Sequence, residues 1–285
     1  MTRLHGAIAA AVTPMRGEDL ALSDVGPLTS FLVAGGMDGL LACGTTGEGV
    51  LLEVGERFAV VEAFLAARPP GFQVAVHAGA QTTHDTCALA SHARDVRADA
   101  VAVIAPPYYP LDDVELGAHL AAAAAACAPL PFYVYAFAAR SGYPVPPALV
   151  ATLAADVPNL AGLKVSDTPL DAVRPYLELG LDVFIGSEPL VLPAFELGAV
   201  GTVSGLASAF PGIVARLVHD RDPAAHEAVR GLRDGLRGIP FQAALKEVLV
   251  GRGVLASADV RAPLRMLTDD ERAALTALVP TSPAG

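Results

Sequence analysis

Lysine is almost missing from this chain. Of 19 basic residues among 285, two are lysine, Lys164 and Lys246, and 17 are arginine. Charge of any kind is sparse, at 17% against 53% hydrophobic residues. Such a composition excludes a disordered chain and implies a large, well-filled core. Positive charge is in deficit, with a formal net charge of -11. That balance argues against nucleic acid or an anionic membrane as partner, but leaves room for a small anion held by backbone amides. Cys43, Cys87 and Cys127 are widely spaced and form no CxxC pair or Cys/His cluster. Neither a disulfide framework nor a zinc site is indicated, and a reducing cytoplasm fits. His84, His92 and His119 likewise lack metal-ligand spacing. No GxGxxG follows a strand-like run and no P-loop occurs, which removes the grounds for a dinucleotide-binding sheet. Long apolar runs are few. Gly6 to Val12 is short and meets Thr13-Pro14. His119 to Ala139 has the length of a membrane span, but is mostly alanine and is cut by Pro129 and Pro131. It reads as a buried helix face followed by a buried strand.

What is present is an alternation. Short apolar runs at 8–12, 39–43, 72–76, 100–105, 132–135, 162–165, 183–185 and 200–203 read as strands. Amphipathic stretches at 22–34, 53–67, 83–97, 112–127, 147–155, 170–179, 190–197 and 210–219 read as helices. Near-continuous apolar strands between helices indicate a parallel sheet covered on both faces. Eight such units have the size of one closed (β/α)8 TIM barrel, expected over residues 1–221. Residues 222–285 carry no strand-like run. They are expected to form a C-terminal helical extension of two or three helices, interrupted at Pro240 and at Gly251-Arg252-Gly253. An open doubly wound sheet is the weaker alternative.

Lys164 stands in Asn159-Leu160-Ala161-Gly162-Leu163-Lys164-Val165, an apolar strand where arginine, the basic residue used elsewhere, is not used. A desolvated lysine can lose its proton and become a nucleophile, whereas arginine stays protonated. The bland alternative is a lysine whose stem packs while its ammonium reaches water. Other candidates fall where the strands end, which is where a barrel places its active groups. Gly44-Thr45-Thr46-Gly47-Glu48 follows the second strand, and its amides could cradle a carboxylate, although taken by itself a tight turn into a capped helix is the better explanation. Pro106-Pro107-Tyr108-Tyr109-Pro110 follows the fourth. Tyr133 and Tyr135 share one face of the fifth, with Tyr135 nearer its end, and Arg140 follows. His77 ends the third strand and reads as packed rather than catalytic. Lys246 reads as a surface or interface charge.

Thr13-Pro14-Met15, Gly44-Thr45-Thr46-Gly47-Glu48, Pro107-Tyr108-Tyr109, Tyr135 with Arg140-Ser141-Gly142, Gly162-Leu163-Lys164 and Val260-Arg261-Ala262-Pro263-Leu264 occur in that order along nearly the whole chain. In order and spacing they resemble the dihydrodipicolinate synthase / N-acetylneuraminate lyase family of pyruvate-dependent class I aldolases. The resemblance implies that Lys164 forms a Schiff base with pyruvate and that Tyr135 shuttles protons. Thr45 and Tyr109 would complete a hydroxyl relay, with Tyr109 crossing from a neighbouring subunit of a homo-oligomer, a dimer or homotetramer. The amides of Thr45 and Thr46 would hold the pyruvate carboxylate, and Gly186 and Val203 would line the pocket. No metal and no diffusible cofactor is implied.

The same resemblance bears on the acceptor aldehyde. Synthases that use aspartate semialdehyde carry Tyr-Asn-x-Pro-x-Arg-Thr-Gly, with the arginine on the acceptor carboxylate. This chain reads Tyr135-Ala136-Phe137-Ala138-Ala139-Arg140-Ser141-Gly142. Arginine and glycine keep register, while asparagine, proline and threonine are replaced, and Val165 stands where the synthases usually place glutamate. The expected activity is condensation of pyruvate with aspartate semialdehyde. The alternatives are a 2-keto-3-deoxy sugar-acid aldolase or other keto-acid lyase, and a non-catalytic keto-acid-binding relative. Arg140 argues against sialic acid and plain sugar acids, and Glu188 is an acidic group near where sugar-acid aldolases meet substrate hydroxyls. The apolar loop Gly49 to Arg57 implies weak or absent feedback by lysine.

Overall fold

The computed structural model describes residues 3–279. Eight parallel strands form a closed barrel: β1 (Gly6–Ala10), β2 (Gly39–Ala42), β3 (Gln73–His77), β4 (Ala100–Ile104), β5 (Phe132–Ala136), β6 (Leu160–Val165), β7 (Asp182–Ile185) and β8 (Gly201–Ser204). Each strand bonds to its neighbours in chain order, and β1 lies beside β8. Every residue of β2 through β6 is buried. That explains why these strands read as continuous apolar runs, since both faces of a helix-covered parallel sheet are closed to water. The alternation seen in the sequence is therefore the architecture, with element boundaries shifted by at most three residues.

Two compact units can be described separately. One comprises residues 3–5 and 73–203. Helices α3 (Thr83–Asp95), α4 (Asp113–Cys127), α5 (Ala138–Ser141), α6 (Pro147–Asp156), α7 (Leu170–Leu177) and α8 (Val191–Phe195) alternate there with β3 to β7. Register runs Ile104↔Tyr135↔Lys164↔Phe184 across four strands, so these side chains share a face. That face is the barrel interior. Tyr133 on β5 meets Phe184 on β7 with ring centroids 5.7 Å apart, although β6 lies between the two strands. The apolar stretch 119–139 resolves into the end of α4 and then β5, as its prolines suggested. Among the described residues no helix is long and apolar enough to cross a membrane.

The other unit comprises residues 6–72 and 204–279. It holds β1, β2, α1 (Val25–Ala34), α2 (Val54–Ala67) and α9 (Pro211–His219). It also holds the three helices of the C-terminal region, α10 (Pro223–Gly235), α11 (Phe241–Gly251) and α12 (Asp269–Leu278). Helix α2 opens on a capping box between Glu53 and Glu56, and α12 on one between Thr268 and Glu271. Each supplies partners to amides that the helix itself cannot bond. The sequence reading did not anticipate the small hairpin Met15–Arg16/Asp19–Leu20, or that Leu22–Asp24 forms a 3-10 turn ahead of α1. Both depend on backbone hydrogen bonds that leave no apolar period.

Candidate active site

Lys164 lies in the buried strand β6 and is 5% exposed. Its Nζ is 4.0 Å from the centroid of the Tyr135 ring, which is 2% exposed. Such burial leaves the Lys164 side chain little contact with water. Register places the two residues side by side on β5 and β6. No described carboxylate forms an ion pair with Lys164, so its nearest electrostatic partner is the face of an aromatic ring.

A column of rings continues from this pair. His77, at the end of β3, meets Tyr135 edge-on with centroids 5.9 Å apart and is buried, as a packed histidine should be. Phe137 stacks on Tyr135 at 6.1 Å and 28°. Arg140, exposed on the short helix α5, has its guanidinium carbon 5.8 Å from the Phe137 ring. Helix α5 is pinned by Asp167, whose Oδ1 accepts from Ala138 N at 2.7 Å, and it ends at Gly142 with φ 87. The loop after β6 thus fixes the element that carries Arg140. Phe137 and Asp167 were not singled out from the sequence. Phe137 sits at the unspecified position of the Tyr-to-Arg stretch, and Asp167 acts across a strand boundary.

The two phenols of β5 have different duties. The Tyr133 hydroxyl accepts from Leu4 N at 3.1 Å, and burial pushes its pKa up to about 12. It is a structural anchor. Tyr135 is the one beside the amine. Gly186, just past β7, lies where any Cβ would strike the Ser166 hydroxyl, so the chain needs glycine there. Val203 on β8 is 4% exposed and follows Thr202, whose Oγ1 donates to Ile185 O at 2.6 Å. Tyr108 and Tyr109 pack edge-on at 4.8 Å and are 83% and 70% exposed. Tyr109 also lines a small cavity of about 210 Å³ with Gln81, Thr83, Glu115 and His119. Glu188 is fully buried and does not present its carboxylate at a surface.

In the second unit Thr45 is half-buried and Thr46 is 7% exposed. Their turn is tightly built. Gln242 Nε2 donates to Thr45 O at 3.1 Å, and Thr13 Oγ1 donates to Gly47 O at 2.6 Å. A Cβ at Gly47 would lie 2.7 Å from Ala11 O, so this glycine is required by close approach. Cys43 and Glu48, on either side of the turn, both have φ 57, a left-handed conformation uncommon for residues with a Cβ.

Lys246 corrects the sequence reading. It is not a surface charge but is 0% exposed, with Nζ 2.5 Å from Glu48 Oε1 and donating to Asp259 O at 2.7 Å. Helical periodicity showed only that it lay on α11. Its partner is some 200 residues away in sequence, which no local pattern could reveal. Burial lowers its pKa from the ordinary lysine value, with Glu48 opposing. Among the described residues, no group of three or more His, Cys, Asp or Glu side chains could hold a metal ion. None of the three cysteines forms a disulfide, and burial pushes the Cys43 thiol to about 11 and the Cys127 thiol to about 12.

Comparison with known proteins gives this geometry a context. Residues 3–281 match the Dihydrodipicolinate synthetase family. An uncharacterised DapA-like lyase of Halobacterium salinarum is 35% identical, the alignment covering 96% of this chain and 92% of the relative. The 4-hydroxy-tetrahydrodipicolinate synthase of Syntrophus aciditrophicus is 30% identical over 94% of each chain. Among solved structures, YagE, a prophage protein of the dihydrodipicolinic acid synthase family from E. coli K12 in complex with pyruvate, superposes with a TM-score of 0.91. It is 25% identical and covers 97% of this chain and 98% of its own. Matched along nearly its whole length, the chain belongs to the dihydrodipicolinate synthetase family of lyases.

Proposed function

We propose that this protein is a pyruvate-dependent class I aldolase that works through a Schiff base on Lys164, and that its reaction is that of a 4-hydroxy-tetrahydrodipicolinate synthase. One observation carries the reading: a buried amine with no carboxylate partner among the described residues, 4.0 Å from a buried tyrosine ring. The unprotonated amine attacks the keto carbon, and loss of water then gives an imine. Loss of a methyl proton gives an enamine, whose carbon attacks the acceptor aldehyde. Tyr135 moves the protons of imine formation and of the acceptor oxygen.

The remaining roles rest on the resemblance and on family membership. Thr45 and a Tyr109 from a neighbouring copy extend the proton relay, and the exposure of Tyr108 and Tyr109 supports such a crossing in a dimer or tetramer. Thr45 and Thr46 amides hold the pyruvate carboxylate, while Gly186 and Val203 line its pocket. Arg140 meets the acceptor carboxylate through a planar, two-point contact. The pyruvate complex of YagE and the synthase of S. aciditrophicus support the two halves of the reaction. That Cys43, Cys87 and Cys127 form no disulfide supports a cytoplasmic setting.

The test is a paired assay. Pyruvate with aspartate semialdehyde is expected to turn over with kcat/KM at least tenfold above pyruvate with glyceraldehyde. The reverse order would assign the protein to the sugar-acid branch. Pyruvate binding with no turnover of either aldehyde would make it a keto-acid-binding relative.

A further inference from the structure

We propose that Lys246 is a positioning residue for the reaction: through its buried ion pair with Glu48 it holds the Thr45–Thr46 turn in shape and so sets the affinity for the keto-acid carboxylate. This rests on the reading that Thr45 and Thr46 bind that carboxylate.

Three observations support it. The first is how completely Glu48 is held. Its side chain is 1% exposed, Oε1 faces the Lys246 ammonium at 2.5 Å, and Oε2 accepts from Arg261 N at 2.7 Å. Lys246 in turn donates to Asp259 O at 2.7 Å. The Arg261 guanidinium donates to both oxygens of Glu56, at 2.6 and 3.2 Å. One carboxylate therefore joins the turn after β2 to helix α11 and to the segment 259–261.

The second is backbone conformation. Glu48 has φ 57, and Gly49, the next residue, has no room for a Cβ against the Cys43 carbonyl. A residue with a side chain keeps a left-handed conformation only when its surroundings over-determine it. The ion pair supplies that constraint three residues from Thr45 and two from Thr46.

The third is chain economy. One of the two lysines is spent on this pair, with no solvent exposure at all. A buried ion pair is weak evidence for stability, because apolar residues of similar volume often do as well or better. Its value lies in fixing geometry. Among the described residues no hydrogen bond joins Lys246 to Thr45 or Thr46, and Lys246 acts through Glu48 and the backbone. The C-terminal region thereby takes part in substrate affinity from a distance.

The experiment is borohydride trapping of pyruvate on Lys164, followed by mass spectrometry across a pyruvate series. In Lys246→Met the half-saturating pyruvate concentration is expected to rise at least tenfold. The plateau of adduct should still be reached, since the attacking amine is untouched. The double variant Glu48→Gln/Lys246→Met restores a neutral pair and keeps an acceptor for Arg261 N. It is expected to return within threefold of the native value. A merely structural role would lower the melting temperature of Lys246→Met and leave half-saturation within twofold of native, which would overturn the proposal. Should Lys246→Met fail to fold, Glu48→Asp draws the carboxylate back by one methylene, and it must show the same rise. An unmoved half-saturation in Glu48→Asp overturns the proposal equally. A native protein that forms no adduct overturns the aldolase reading and this inference together, whereas a native adduct with unmoved variants overturns this inference alone.

Discussion

The two lysines of this chain are both buried, at 5% and 0% exposure, yet they have opposite surroundings. Lys246 is met by a carboxylate at 2.5 Å and a carbonyl at 2.7 Å. Lys164 is met by the face of a tyrosine ring. A buried ammonium with a carboxylate and an acceptor is a fixed charge that binds structure together. A buried amine without one is available for chemistry. On the proposed reading, burial alone does not distinguish a reactive lysine from a structural one, and the neighbour does.

Substituting the two lysines alike should separate these roles. Lys164→Met is expected to abolish condensation, with kcat falling by at least about 10³-fold, a loss typical of removing a nucleophile. Its melting temperature should stay level or rise, because a desolvated amine gives way to an apolar side chain. Lys246→Met should destabilise the fold by about 3 kcal/mol, since it strands Glu48 as a buried charge. Calorimetry beside steady-state assays reads both, and a common outcome for the two variants would dissolve the comparison.

Tyr135→Phe keeps the ring beside Lys164 but removes the phenol. It should lower kcat by about 10²-fold while leaving the fold unchanged, in line with the loss of a general acid–base group. Tyr133→Phe is its control and should lose stability rather than kcat, because the Tyr133 hydroxyl is occupied by Leu4 N. Arg140→Ala should raise KM for aspartate semialdehyde about tenfold, as for a lost charge-assisted contact, and leave pyruvate trapping unaltered. The smallest effect concerns a pair at the start of α12. Arg265 holds the Glu271 carboxyl down at about 2, chiefly by a side-chain hydrogen bond. A folded value below the ordinary 4.5 gives stability that is present above 4.5 and lost as pH falls through about 2. In Arg265→Ala an NMR titration should find Glu271 shifted upward toward 4.5.

Much of the barrel was legible in the sequence, because the alternation of buried strands and amphipathic helices is a repeated short-range signal. Lys164 was legible for a different reason: a rare residue type stood in an apolar strand. Tyr135 followed from strand alternation and from the motif around Arg140. What was not legible depends on long-range pairing. The sequence near Lys246, Ala243-Ala244-Leu245-Lys246, marks a helix but does not say that Glu48 lies opposite. Phe137 gave no signal because its importance comes from stacking between Tyr135 and Arg140 rather than from its type. The division of labour between Tyr133 and Tyr135 was hidden too, since the partner of Tyr133 is a backbone amide near the start of the chain.

The most direct test of the central claim is to incubate the native protein with pyruvate, reduce with borohydride and map the modified peptide by mass spectrometry. The account predicts one pyruvate-derived adduct, on the peptide that contains Lys164. An adduct on Lys246, or no adduct at saturating pyruvate, would contradict it.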